Sequence, residues 1–291
     1  MSHFTVMVIG ENIEELLAPY QENNMGTCPK EYLEFFNVEE QERDIYKENY
    51  ETKMSFDEFM TKHCGYEYDA EQGAYGYWEN PNKKWDWYQL GGRWNGYFKL
   101  KKGAIGKRGS ASFLYHSSGD ISYADSCLKG DIDVEGMRKE AEEKALKKYD
   151  AVHSALSEID LSKHISWKEF IEKKKAGKIT IEEARRLYNN QDSVETFKEF
   201  SNSEEGSKYI DFSSNIEDFL IPREEYAKQA REGAISTFAV VNKDGWFEKG
   251  EMGWWGIVSD LKDQDDWNKQ FTKMFDELPD DTVINLVDCH I

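Results

Sequence analysis

The chain has few cysteines and few prolines: four Cys and five Pro in 291 residues. Cys28, Cys64, Cys127 and Cys289 lie far apart and none forms a CxxC pair, which excludes a spacing-coded redox or zinc motif and predicts a reducing, cytoplasmic setting. No apolar run approaches the roughly 18 residues that a membrane-spanning helix needs. The opening MSHFTVMVIG has no basic segment, and Gly10 and Glu11 break its apolar run, so a secretory signal is not expected. A GxSxG elbow, a GxxxxGK[ST] phosphate loop and an HExxH pair are all missing. Basic residues are also in deficit, 37 against 57 acidic, for a net charge of −20. The excess acid runs through the sequence and is not confined to a tail. Direct binding to nucleic acid or anionic lipid is therefore disfavoured, because phosphate neutralisation needs basic patches. The charge serves either solubility or steering toward a basic partner, such as the nucleic-acid groove of an enzyme.

Apolar residues make up only 39% of the chain, yet 14% of its residues are aromatic, including 9 Trp, 16 Tyr and 16 Phe. Disordered chains are poor in aromatics, so this one is expected to fold, as one large domain or two ordinary ones. His3–Ile9 reads as a buried strand, leading into a short helix near Ile13–Leu17 that Pro19 stops. Residues 30–63 carry Tyr32, Phe35, Phe36, Ile45, Phe56 and Phe59 among many charges and predict helical pieces with one buried face. From Tyr66 to Leu100, aromatics interleave with glycines and Pro81, which disfavours helix and predicts short strands and turns. Residues 99–110 read as a solvated basic loop, and Phe113–Tyr123 as a hairpin.

Beyond Asp131 the pattern turns helical. Met137, Ala141, Ala145, Tyr149, Val152 and Leu156 recur every three or four residues, and Ser166 with Glu169 and Thr180 with Glu183 are spaced as helix N-termini. Strands return at Ser236–Val241 and around Trp246–Val258, followed by a helix over Asp263–Leu278 and a last strand over Thr282–Ile291. The expectation is an α+β fold whose mixed or antiparallel sheet is built by both ends of the chain. It divides into residues 1–130, a helical polar insertion over 131–232, and residues 233–291 that complete the sheet. The N-terminal and C-terminal strands are expected in one sheet.

Candidate sites are sparse. If the first and last strands are neighbours, His3 can approach His290 or Cys289, with Asp288 joining. His63-Cys64 and Cys289-His290 are adjacent pairs that offer at most one ligand each, because neighbours on a strand face opposite ways. Ordinary strand residues are the preferred reading, so neither metal nor cofactor is expected. The segment NPNKKWDWYQLGGRWNGYF is the least random part of the chain. Trp85 and Trp87 are expected to share a strand face, with Arg93 and Trp94 folding back on them as a structural nucleus. The competing reading makes Arg93 and Trp94 part of an exposed binding patch, together with Trp254 and Trp255, one of which must face away from a one-sided core if both lie in a strand.

The start MSHFTVMVIG, the centre NPNKKWDWYQLGGRWNGYF and the end DDTVINLVDCHI, in that order, resemble a family of phage-encoded proteins. In size and acidity the chain is similar to phage anti-defence proteins that inhibit the Gabija system. That resemblance implies a non-enzymatic inhibitor acting in the host cytosol, which assembles as a homo-oligomer on a host nuclease complex and blocks DNA binding or cleavage. It carries over no catalytic residue. The alternatives are a phage enzyme acting on a nucleotide or small signal through His3, His290 or a carboxylate pair, and an accessory phage protein without a defence target.

Overall fold

The computed structural model describes residues 2–111, 122–211 and 214–291, with only the backbone of Ala111 and Trp254. The hairpin expected over Phe113–Tyr123 falls outside these residues apart from its last two positions. Residues 1–132 and 237–291 form one compact unit and residues 133–236 a second.

In chain order the first unit contains strand β1 (His3–Ile9), helix α1 (Ile13–Leu17), strand β2 (Glu34–Asn37), helix α2 (Glu39–Asn49), and strands β3 (Glu67–Asp69), β4 (Ala74–Glu79), β5 (Trp87–Gly92) and β6 (Ser126–Leu128). After the second unit it resumes with β7 (Ala239–Asn242) and β8 (Gly245–Glu248), and the final strand β9 covers Val283–His290. A mixed sheet runs in the order β8-β7-β1-β9-β5 and ends on Ser110–Ala111; β6 pairs with the opening residues of β9. β1 is parallel to β7 and antiparallel to β9, and β9 is antiparallel to β5. Both chain ends therefore lie in one sheet, in an α+β fold.

Strand alternation sorts the side chains of this sheet. Phe4, Val6, Val8, Val287 and Cys289 pack with Leu17, Trp85, Ala239 and Val241 in a buried cluster. On the opposite face the register sets His3 beside His290 and His290 beside Trp87, and in the next row Thr5 beside Asp288 and Asp288 beside Gln89. Each row thus takes one residue from each of three distant segments of the chain, β1, β5 and β9.

Residues 30–63 contain the expected helical pieces, in α2 and over residues 56–64 with Phe59 and Met60 buried, but not throughout. Phe35 and Phe36 lie in β2, which pairs with β4 in a separate antiparallel sheet of order β2-β4-β3. Pairing with a distant strand overrides the local pattern here. The Trp246–Val258 segment is likewise not one strand: β8 is followed by a small ladder of Glu251–Met252 with Val258–Ser259, and Trp254–Gly256 forms a helical turn between its arms.

The second unit is helical, with α3 (Val134–Ala155), α4 (Trp167–Lys175), α5 (Ile181–Asn189), α6 (Asp192–Ser201) and α7 (Arg223–Glu232). Ser166 and Glu169 form a reciprocal capping box, and Thr180 caps α5 by accepting from the Glu183 N–H. Tyr149 and Val152 of α3, with Leu156 at its C-cap, pack with Val194, Phe197, Ile216 and Phe219. Back in the first unit, α8 (Gln264–Asp276) buries Trp267, Phe271 and Phe275, and the Trp267 indole donates to the Thr237 carbonyl.

Candidate functional site

The face that carries His3 and His290 is polar and largely buried. His3 Nδ1 lies 2.8 Å from Asp288 Oδ1, and His290 Nδ1 lies 2.6 Å from Asp86 Oδ1. An ionised carboxylate only accepts hydrogen bonds, so against one each ring holds a proton on Nδ1; a neutral ring then carries its lone pair on Nε2. The two imidazoles meet edge to face with centroids 4.9 Å apart. Trp87 stacks on His290 at 5.1 Å and 17° and meets His3 in a T-shaped arrangement at 5.3 Å. The Nε2 of His290 is buried without a hydrogen-bond partner among the described residues.

Backbone geometry in the central block follows from two buried carboxylates. The second oxygen of Asp288 accepts the Arg93 N–H at 2.9 Å. Asp125 accepts the N–H groups of Gly96, Tyr97 and Gly109 and the Asn95 side-chain amide, at 2.6 to 3.0 Å. Gly91 and Gly92 both adopt positive φ, at 73° and 51°. A Cβ on Gly92 would fall 2.4 Å from Asp288, and one on Gly91 2.5 Å from Asp125. The paired glycines therefore supply both a left-handed turn and close approach to the carboxylates.

The structure separates the residues expected to form one aromatic nucleus. Trp85 is in the core, with its indole donating to the Leu17 carbonyl, whereas Trp87 is 44% exposed over the histidines. Arg93 is exposed and Trp94 half-buried, and Arg93 makes no cation–π contact among the described residues. The tight turn over Asp288 accounts for this, since it directs the chain away from the Trp85 side of the sheet. His3 meets His290 and not Cys289, which faces the opposite, apolar side. Among the described residues no group of three or more His, Cys, Asp or Glu is arranged to hold a metal ion.

Trp254 and Trp255 lie in a turn, so strand alternation does not govern them. Trp255 has φ 63° and is 79% exposed, and Ile257 and Leu261 beside it are 70% and 58% exposed. The turn is tied to the chain start by Ser2, whose hydroxyl donates to the Gly253 carbonyl and accepts from the Gly256 N–H, both at 2.7 Å.

Asp86 and Asp125 went unrecognised in the sequence. Asp86 had a local signal, its place between two tryptophans, but Asp125 had none, because its partners lie 16 to 30 residues away along the chain. No protein-family model, curated protein or solved structure matches the chain.

Proposed function

We propose that the protein acts by stoichiometric association with a larger partner, as a phage anti-defence protein that inhibits a host DNA-targeting complex of the Gabija type. The observation that carries the association is the exposed trio Trp255, Ile257 and Leu261 on an anchored turn. Large apolar side chains held in water serve as interface anchors, and Trp is the residue most enriched among binding hot spots. A non-glycine residue at positive φ is a strained placement of the kind that clusters at functional sites. The net charge of −20 suits a partner that presents basic surface to DNA. A homo-oligomer acting in the host cytosol belongs to the same reading. The chain is consistent with that location in having, among its described residues, no helix long and apolar enough to cross a membrane.

Co-expression of the tagged protein with candidate defence complexes tests this. Co-purification at a fixed ratio is expected, with inhibition of DNA cleavage saturating at that ratio. Inhibition far below one copy per target, accompanied by a changed small molecule, would overturn it.

The paired imidazoles favour a second reading, an enzyme acting on a nucleotide or small signal. Each ring is oriented by its own carboxylate, the arrangement of a general base. A turnover screen with the wild type and His290→Gln decides this: turnover abolished by the substitution supports it, and absence of turnover removes it.

A further inference from the structure

The small sheet collects aromatic and acidic side chains on one of its faces. Register places Phe35 opposite Trp78, Glu67 opposite Gly76 and Asp69 opposite Ala74, so Phe35, Trp78, Glu67 and Asp69 share a face. Tyr75, on the other face, packs with Val38, Phe59 and Met60. A groove of about 350 Å³ is lined by Phe35, Glu67, Asp69, Gly76 and Trp78 together with Asn23 and neighbouring residues of β3 and β4. Gly76 is its floor: a Cβ there would fall 2.5 Å from the tip of the Phe35 ring, which therefore rests on the glycine. Phe35 and Trp78 meet at 5.5 Å and 60°.

The acids are placed to work with these rings. Asp69 accepts the Trp78 indole N–H at 2.8 Å and the Glu71 and Gln72 N–H groups at 2.9 Å. These bonds, that from the Gln72 backbone first, hold its carboxyl below the usual carboxylate range. Glu67 is exposed, and its side chain has no ion pair or hydrogen bond among the described residues. Asn23 donates to the Trp78 carbonyl while its own Oδ1 has no donor. Around the groove the sequence is strongly one-signed: residues 31–79 hold fourteen acidic and four basic residues, half of the chain's net −20.

We propose that this groove takes the guanidinium of an arginine carried on a basic segment of a protein partner. A guanidinium is flat, stacks on aromatic faces and forks onto carboxylates, so it uses the rings and Glu67 together. A lysine ammonium is a compact, strongly hydrated point charge that uses less of that surface, and a phosphate-bearing ligand is repelled by the acids.

The inference rests on the association reading for the existence of a partner, but its test does not need one. The probe is a fluorescein-labelled peptide of alternating glycine and arginine, titrated against the full chain by anisotropy, with its lysine counterpart as comparison. Arginine peptide is expected to bind at least about threefold more tightly than lysine peptide. Glu67→Gln and Trp78→Leu should each weaken it about tenfold, with melting curves confirming that both variants fold. Glu172→Gln makes the same charge change on the exposed side of α4 and should leave affinity unchanged. Equal affinity for the two peptides, equal losses from Glu67→Gln and Glu172→Gln, or no binding would overturn the proposal. Peptide binding without co-purification of a defence complex would remove the defence reading and leave the groove; the converse would remove the groove alone.

Discussion

His3 and His290 stand directly opposite one another across the antiparallel β1–β9 pair, and each is held by a different carboxylate, Asp288 for the first and Asp86 for the second. Two rings whose centroids are 4.9 Å apart are thereby each given a carboxylate acceptor at Nδ1, which fixes the orientation of both. Long-range proton–nitrogen spectra of the imidazoles are expected to place a proton on Nδ1 of both. A neutral ring protonated on Nε2 alone would show that its carboxylate does not accept from it.

Gly92→Ala should be costly, because it adds a Cβ 2.4 Å from Asp288 at a φ of 51°. Gly103 also has positive φ, at 85°, but nothing lies within 4 Å of the place an added methyl would take, so Gly103→Ala isolates the backbone cost of about 1–2 kcal/mol. Urea denaturation of both variants should show the larger loss at Gly92. Equal losses would mean that the approach to Asp288 is easily relaxed.

Trp85→Ala should lower stability by about 3–5 kcal/mol, the usual cost of emptying a buried aromatic site. Trp87→Ala should cost clearly less, since that ring is 44% exposed, yet it should shift the His3 and His290 ring resonances that it stacks on. Thermal melts and imidazole spectra together distinguish the two. A larger loss at Trp87 than at Trp85 would contradict the burial pattern.

Trp255→Gly should leave stability within about 1 kcal/mol of wild type, because glycine tolerates the positive φ and little buried contact is removed. Association with the partner should fall by tenfold or more, about the loss expected for one hot-spot residue. Retained association would take this turn out of the interface.

Burial raises the Cys127 thiol to about 12 and pushes the Cys289 thiol well above its ordinary range. In the unfolded chain both ionise near pH ~8.5, so above that pH the unfolded state binds fewer protons than the folded one. Stability is therefore undiminished below this value and falls as pH rises toward the folded values. Urea midpoints measured from pH ~7.5 to ~10 should decline, and Cys127→Ala should flatten the decline. A midpoint that rises with pH would contradict the burial of these thiols.

The terminal strands and the helices were legible in the sequence because their information is local. The apolar run of His3–Ile9 sets a strand by itself, and Ser166 reaches Glu169 within one helical turn, so neighbours along the chain suffice. The same locality misread Phe35 and Phe36, whose strand exists only through pairing with β4, about forty residues onward. It also grouped Trp85 with Trp87, although one belongs to the core and the other to the histidine row. That row was decided by tertiary structure alone: a one-residue slip of β9 would turn His290 and Asp288 to the opposite face, and only the pairing of β1, β9 and β5 sets that register.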